Sequence, residues 1–433
     1  MTLTGRTALV ALAGGLVVLA AGTGLALLIV NAVLLAAIAA DLLLAARVTG
    51  VTGLVVSRSG DARIHLGQSG TVLLAVANPG RRRLRGQVRD GWRPSAGSSP
   101  RLARVDLPPG GRMTLTTTLT PKRRGDCPGG LVTVRSLGPL GLAGRQRNLP
   151  APWTVRVLPP FLSRKHLPEK LAMLRELDGQ HRSMLRGHGT EFDSLRSYVL
   201  GDDVRSIDWR SSARHADVLI RTWRPERDRR IVIVLDTGRT SAGRVGGIPR
   251  LDASMDAALL LAALAVHAGD RVDLVAADRR VRARVVGARR DGVLASFTGE
   301  MALLEPDLVE PDIGLMAATV LGIARQRCLV VLMTDLNPAA IEDGLLPHIQ
   351  LLAARHQLLL AAVADPRVAE MAAGRGDAAD LYAAAAATGA QAARARVAAL
   401  LRRSGVEVVD APPAGLPPAL ADAYLALKEA GRL

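Results

Sequence analysis

The chain has 433 residues, more than one ordinary domain holds, with 56 Lys and Arg against 39 Asp and Glu, a formal charge of +17. The charge is dispersed. Only residues 81–85 and 121–125 are densely basic, and neither run carries the interleaved aromatics of a single-strand stacking platform, so nucleic-acid binding is not expected. Two widely separated cysteines, Cys127 and Cys328, argue against a disulfide scaffold and fit a reducing compartment, and no Cys/His set has zinc spacing.

Residues 7–40 contain no charged side chain. One straight helix of that length would run about 50 Å, well beyond a bilayer core of about 30 Å. Two shorter helices fit better, from about Thr7 and to about Leu44, with a break at 20–24 and Asp41 near the exit. The apolar character continues where a signal peptide would turn polar. Arg6 precedes this stretch and Arg47, Arg58 and Arg63 follow it, so a transmembrane hairpin over 1–48 is expected in the cytoplasmic membrane, with the soluble parts facing the cytoplasm. A single span, putting the bulk of the chain outside as an extracytoplasmic envelope-binding module, stays open. Over 49–160, short Val/Leu/Thr runs alternate with Gly/Pro turns, which predicts a small antiparallel, Ig-like β-sandwich. It shows no catalytic constellation and reads as a spacer or binding module.

The segment 161–230 holds "GTEFDSLRSYVLGDDVRSIDWRSSARHADVLIRTW". It crowds Phe192, Tyr198 and Trp209 among Asp193, Asp202, Asp203 and Asp208, interleaved with Arg196, Arg205, Arg210 and Arg214. Acids and arginines so alternated neutralise one another, and the aromatics are expected to anchor the segment on the following α/β unit. The stretch closely resembles the signature of the bacterial family called domain of unknown function 58. The residues that fit include Glu191, Phe192, Arg196, Tyr198, Gly201, Asp202, Arg205, Asp208, Trp209 and Arg214. "RRGDCPGG" and "LGPLGL" extend the resemblance upstream. It implies a membrane protein that partners a MoxR-type AAA+ ATPase in a chaperone or assembly system, without a reaction of its own. The signature residues would serve partner binding or bracing.

Residues 231–433 alternate buried-type strands with helical stretches, which predicts a doubly wound, mostly parallel sheet. The five strands recognised, "IVIVLD", "RVDLVAAD", "CLVVLMTD", "QLLLAAVAD" and "VEVVD", end in Asp236, Asp278, Asp335, Asp365 and Asp410. Ligands of such sheets bind beyond the strands' carboxyl ends, so Asp236 and Asp335 are the site acids, while Asp365 and Asp410 read as helix caps. "LDTGRTS" resembles the metal-ion-dependent adhesion site of von Willebrand factor A domains, which implies an A-domain-like fold and Mg²⁺ held by Asp236, Thr240 and Asp335. Gly238 stands where that motif has its first serine, and the motif's separate threonine has no clear counterpart, so the site is degenerate. "DTGRT" also resembles the motif of haloacid-dehalogenase-type phosphatases, in which Asp236 would be a phosphoryl-accepting nucleophile. There Gly238 replaces the acid/base aspartate, and Lys428 is the one lysine after Lys170. The chain lacks Walker, dinucleotide and nucleophile-elbow motifs, so no nucleotide is expected. From Asp377 an Ala-rich helix is expected to run to Arg402 and Arg403.

Overall fold

The computed structural model describes residues 2–48, 53–184, 191–199, 202–214, 217–224 and 229–433. The chain divides into two compact units, Met1–Leu158 and Pro159–Leu433.

The first unit opens with two apolar helices, α1 (Gly5–Ala21) and α2 (Gly24–Val48). The break falls at Gly22 and Thr23, inside the expected interval. Within α2, Gly24–Ala45 is long and apolar enough to cross a membrane; α1 is apolar but shorter. Three small sheets follow. The largest orders Thr2–Leu3, Ala143–Leu149, Val132–Leu137, Leu84–Arg89 and Leu102–Leu107, and a second orders Val55–Gly60, Gly70–Ala77 and Arg112–Leu119. Their pairings are antiparallel. In the third, Thr154–Leu158 pairs antiparallel with Gly125–Pro128 and parallel with Arg63–His65. Gly70–Ala77 shows why strands form: Val72, Leu74 and Val76 are buried while Thr71, Leu73 and Ala75 face water. Leu74 and Val76 meet Leu84, Val88, Val105, Val132 and Val134 of the largest sheet in one core. Beside it the buried Arg58 guanidinium contacts Asp90 at 2.6 Å, and Asp90 also accepts from Thr117 Oγ1 and Trp92 Nε1, each at 2.8 Å. These hydrogen bonds offset the desolvation that makes a buried ion pair costly.

The second unit is built on a six-stranded sheet: β1 (Arg230–Asp236), β2 (Arg271–Ala277), β3 (Val281–Val285), β4 (Leu329–Met333), β5 (Gln357–Val363) and β6 (Glu407–Ala411). The order is β3-β2-β1-β4-β5-β6, all parallel except β3. Residues 231–236 of β1 are buried without alternation because both sheet faces are covered. Ile231, Ile233 and Leu235 pack with Leu259, Phe297 and Leu420 on one face, and Val232 and Val234 pack with Met316, Ile349 and Leu401 on the other. β3 is the strand that periodicity did not reveal: "VRARV" carries two arginines, as a charged edge strand does. The helix Leu416–Glu429 is held at the amino ends of the strands, where Tyr424 Oη donates to Asp270 at 2.5 Å and Lys428 Nζ lies 3.3 Å from the same carboxylate. Burial pushes the Asp270 carboxyl up against these partners.

Before the sheet, Glu191–Ser197 and Leu219–Arg224 form a separate two-stranded antiparallel ribbon. Past β5, Pro366–Ala373 is capped by Asp365, as expected, and Ala378–Arg403 by Asp377. Asp410, expected as a cap, lies within β6 and pairs with Arg394 at 2.7 Å.

Candidate functional site

The sheet order reverses between β1 and β4, and Asp236 stands at the carboxyl end of β1 beside that switch. Its side chain is buried and fully engaged. Oδ1 accepts the Gly238 N–H at 2.7 Å, and Oδ2 accepts the hydroxyls of Thr334 at 2.6 Å and Thr240 at 3.1 Å. Burial pushes this carboxyl up from its usual range, against the hydrogen bonds of Thr334, Gly238 and Thr240. Thr334 escapes a reading of the sequence, although it adjoins Asp335 in "MTDL". Its proximity to Asp236 depends on the parallel pairing of β1 with β4.

Asp278 ends β2. Burial pushes its carboxyl up, but hydrogen bonds from Thr237 and the Arg280 N–H, together with the Arg282 charge, outweigh that and hold it below the usual range. A loop over 304–312 closes across both strand ends. The Asp307 N–H donates to Thr237 O and the Arg239 N–H to Val309 O, both at 2.8 Å, while the Asp312 N–H donates to Asp278 O at 3.0 Å. This loop explains Gly238: a Cβ there would stand 2.8 Å from Val309 O and 3.0 Å from Pro311 Cδ. The space that the first serine of an adhesion motif would take is filled by backbone.

Asp335 lies beyond β4 and is clamped between two guanidiniums, Arg394 Nη1 at 2.6 Å and Arg250 Nη1 at 3.1 Å. Arg394 also grips Asp410 and donates to Val363 O, tying the helix Ala378–Arg403 to β5 and β6. Among the described residues, no group of three or more His, Cys, Asp and Glu side chains is arranged to hold a metal ion.

The signature residues form a second constellation on the ribbon. Arg196 makes a two-pronged pair with Asp202 at 2.6 and 2.9 Å, and Asp202 also accepts the Val199 N–H. Asp203 accepts the Arg205 N–H. Asp208 caps the turn Trp209–Ser212 through the Ser211 N–H and pairs with Arg221 at 2.9 Å. The Arg196 hydrogen bond holds the Asp202 carboxyl below its usual range, and the Ser211 N–H followed by Arg221 does the same for Asp208. Tyr198 is partly buried, Arg205 and Arg214 are exposed, and Trp209 is 69% exposed. The expectation that Trp209 anchors the segment on the fold is thus corrected: the capped turn aims the indole at solvent. Glu191 and Phe192 lie on the first ribbon strand, their side chains outside the described set, and Gly201 lies outside the described residues.

Ribbon and sheet together fall within one known family. Residues 194–407 match the family model described as "Protein of unknown function DUF58". These residues form a DUF58 family domain. The DUF58 match takes in most of the first ribbon strand and continues to the first residue of β6. Curated relatives are "Uncharacterized protein Rv1480" of Mycobacterium tuberculosis and "Uncharacterized protein Mb1516" of Mycobacterium bovis, each 26% identical over 199 residues, or 45% of this chain. The chain spans 61% of the length of these relatives. Among solved structures, the CARDB domain of the PF1109 protein from Pyrococcus furiosus is 20% identical, with 24% of this chain and 91% of that one covered, at a TM-score of 0.19. A β-glucosidase from Listeria innocua is 16% identical, with 24% of this chain and 16% of that one covered, at a TM-score of 0.15. Likenesses at these scores assign neither fold nor activity to this chain.

Proposed function

We propose that this DUF58 protein is a membrane-anchored adaptor: α1 and α2 span the cytoplasmic membrane as a hairpin, an Ig-like sandwich serves as spacer, and an A-domain-like α/β unit binds a MoxR-type AAA+ ATPase in the cytoplasm. The observation that carries the reading is Trp209, exposed beside Asp202 and Asp208, whose carboxylates are committed to internal partners. Exposed tryptophan on an ordered support is the residue type that dominates interface energetics. With both oxygens engaged, Asp202 and Asp208 suit presentation of a surface better than proton transfer.

The sheet supports the same reading. On the adhesion-site resemblance Asp236 would be the first metal-holding aspartate, but a Mg²⁺ ion there would require Asp335 to leave Arg250 and Arg394, and Gly238 brings no hydroxyl. The arrangement does not fit a hard divalent ion, so the adaptor binds through protein surface. Phosphoryl transfer through Asp236 finds little support: its oxygens accept three hydrogen bonds, and Lys428 is engaged with Asp270 at the opposite ends of the strands. Cys328 is no better as a nucleophile, because burial pushes its thiol up to about 12.

The test is binding of the detergent-solubilised full chain to a purified MoxR-type ATPase from the same genome, in Mg²⁺ and in chelator. Trp209→Ala is expected to weaken binding by about 2 kcal/mol, roughly 30-fold, with Mg²⁺ making no difference. No binding by the unaltered chain sinks the reading. Binding lost in chelator and in Asp236→Ala, but kept in Trp209→Ala, would transfer the contact to an adhesion-type metal site.

A further inference from the structure

Asp41 is completely buried near the end of α2, and among the described residues its carboxylate is held by three backbone hydrogen bonds. Its carboxylate accepts the backbone N–H groups of Leu140, Leu142 and Ala143 at 2.7 to 2.8 Å, all from the 138–142 turn between Val132–Leu137 and Ala143–Leu149 and from the strand that follows it. Three charge-assisted hydrogen bonds satisfy the carboxylate where water is scarce. The start of α1 meets the same turn: Thr4 Oγ1 donates to Gly141 O at 2.6 Å, the Thr4 N–H to Leu142 O at 3.0 Å, and Thr7 Oγ1 also to Leu142 O. Gly138 is part of the fit, since a Cβ there would lie 2.1 Å from Asp41 Oδ1. Both helices therefore return to one end and grip one turn, which gives the "LGPLGL" motif a structural role.

Helix length sets the depth of that turn. From Gly24 to Asp41 is about 26 Å of helix and to Leu44 about 30 Å, the thickness of the hydrocarbon core. If the 22–23 bend lies at one face of the bilayer, Asp41 and the turn it holds lie at the other, and tilt draws them deeper. The rim of the turn has the matching composition. Leu140 is 51% and Leu3 64% exposed, and Arg6 and Arg145 are exposed beside them. Leucines that reach the acyl boundary with arginines at headgroup level are the pattern of an interfacial contact.

We propose that the 138–142 turn, rimmed by Leu3 and Leu140, is a lipid-contacting surface seated at the headgroup boundary of an anionic phospholipid membrane, with Asp41 as its clasp. The inference rests on the proposed membrane hairpin, and the test separates the two. The full chain is reconstituted into phosphatidylcholine/phosphatidylglycerol vesicles with a spin label at Leu28→Cys, Leu140→Cys or Leu131→Cys, one at a time; Cys127 and Cys328 are buried. Leu28 lies on α2 and is 69% exposed, and Leu131, 53% exposed, precedes the strand Val132–Leu137 at the end far from the turn. The readout is collision with a water-soluble nickel chelate against oxygen. Leu28 is expected to be shielded from the chelate, and Leu140 to be several-fold less accessible to it than Leu131. Leu28 shielded with Leu140 as accessible as Leu131 overturns the inference alone. Leu28 open to the chelate overturns the membrane hairpin and the inference with it.

Discussion

Two groups of aspartates in the second unit are held in opposite ways. At the end of β1, Asp236 is buried and its donors are two hydroxyls and one N–H, none of them charged, so burial pushes its carboxyl up. On the ribbon, Asp202 and Asp208 meet guanidiniums at the surface and are held below the usual range. One residue type thus serves as a hydrogen-bond hub with its carboxyl pushed up at the sheet and as an ion-pair partner with its carboxyl held down on the ribbon. The environment decides, because desolvation penalises charge while a cation or N–H rewards it. The hub stiffens the strand end, and the ribbon's pairs order a surface without burying it.

The sharpest way to break the contrast is Asp236→Ala. It orphans two buried donors, the Gly238 N–H and the Thr334 hydroxyl, at about 1–3 kcal/mol each, and the half-buried Thr240 hydroxyl, so the chain is expected to lose about 3 kcal/mol or more in denaturant unfolding. An unchanged midpoint would mean that water replaces the carboxylate. Next comes Gly238→Ser, which restores the adhesion motif on paper but meets Val309 O; overpacking of about 2 kcal/mol is expected, and added Mg²⁺ should return none of it. A third, smaller effect is a difference in slope with pH. A carboxyl raised on folding contributes stability that is complete below its unfolded value near 4 and is lost as pH rises through the folded value. Stability relative to Asp236→Asn should therefore fall from about pH 4 upward, and stability relative to Asp202→Asn should fall as pH drops below that range. Parallel slopes would erase the distinction. The smallest effect is Arg196→Ala, where global unfolding should not move, while hydrogen exchange at the Val199 N–H, held by Asp202, should accelerate.

Much of this fold is legible in sequence, for reasons that can be named. An uncharged run longer than one span has to break, and it breaks at Gly22 and Thr23. Uninterrupted apolar strands such as "IVIVLD" announce a sheet covered on both faces. The misses are equally specific. β3 is an edge strand with arginines, and apolar periodicity is weak there. Thr334 acts on Asp236 from 98 residues away, so its role depends on strand pairing and not on local spacing. The arginine clamp on Asp335 joins two helices and a strand end, and no motif encodes it. Trp209 reads as an anchor because aromatics are usually buried, but Asp208 caps the turn that carries it and leaves the indole outside.

The loop laid over Gly238 also carries a message for comparison among relatives. Because Val309 O fills the place of a position-238 side chain, residue choice there and the course of the 304–312 loop form one coupled trait. Relatives with serine or aspartate at that position are expected to carry a shorter or rerouted loop, and relatives with glycine to retain one of this length. Paired substitution across these two stretches would then sort the family into members with a covered strand end and members with an open one.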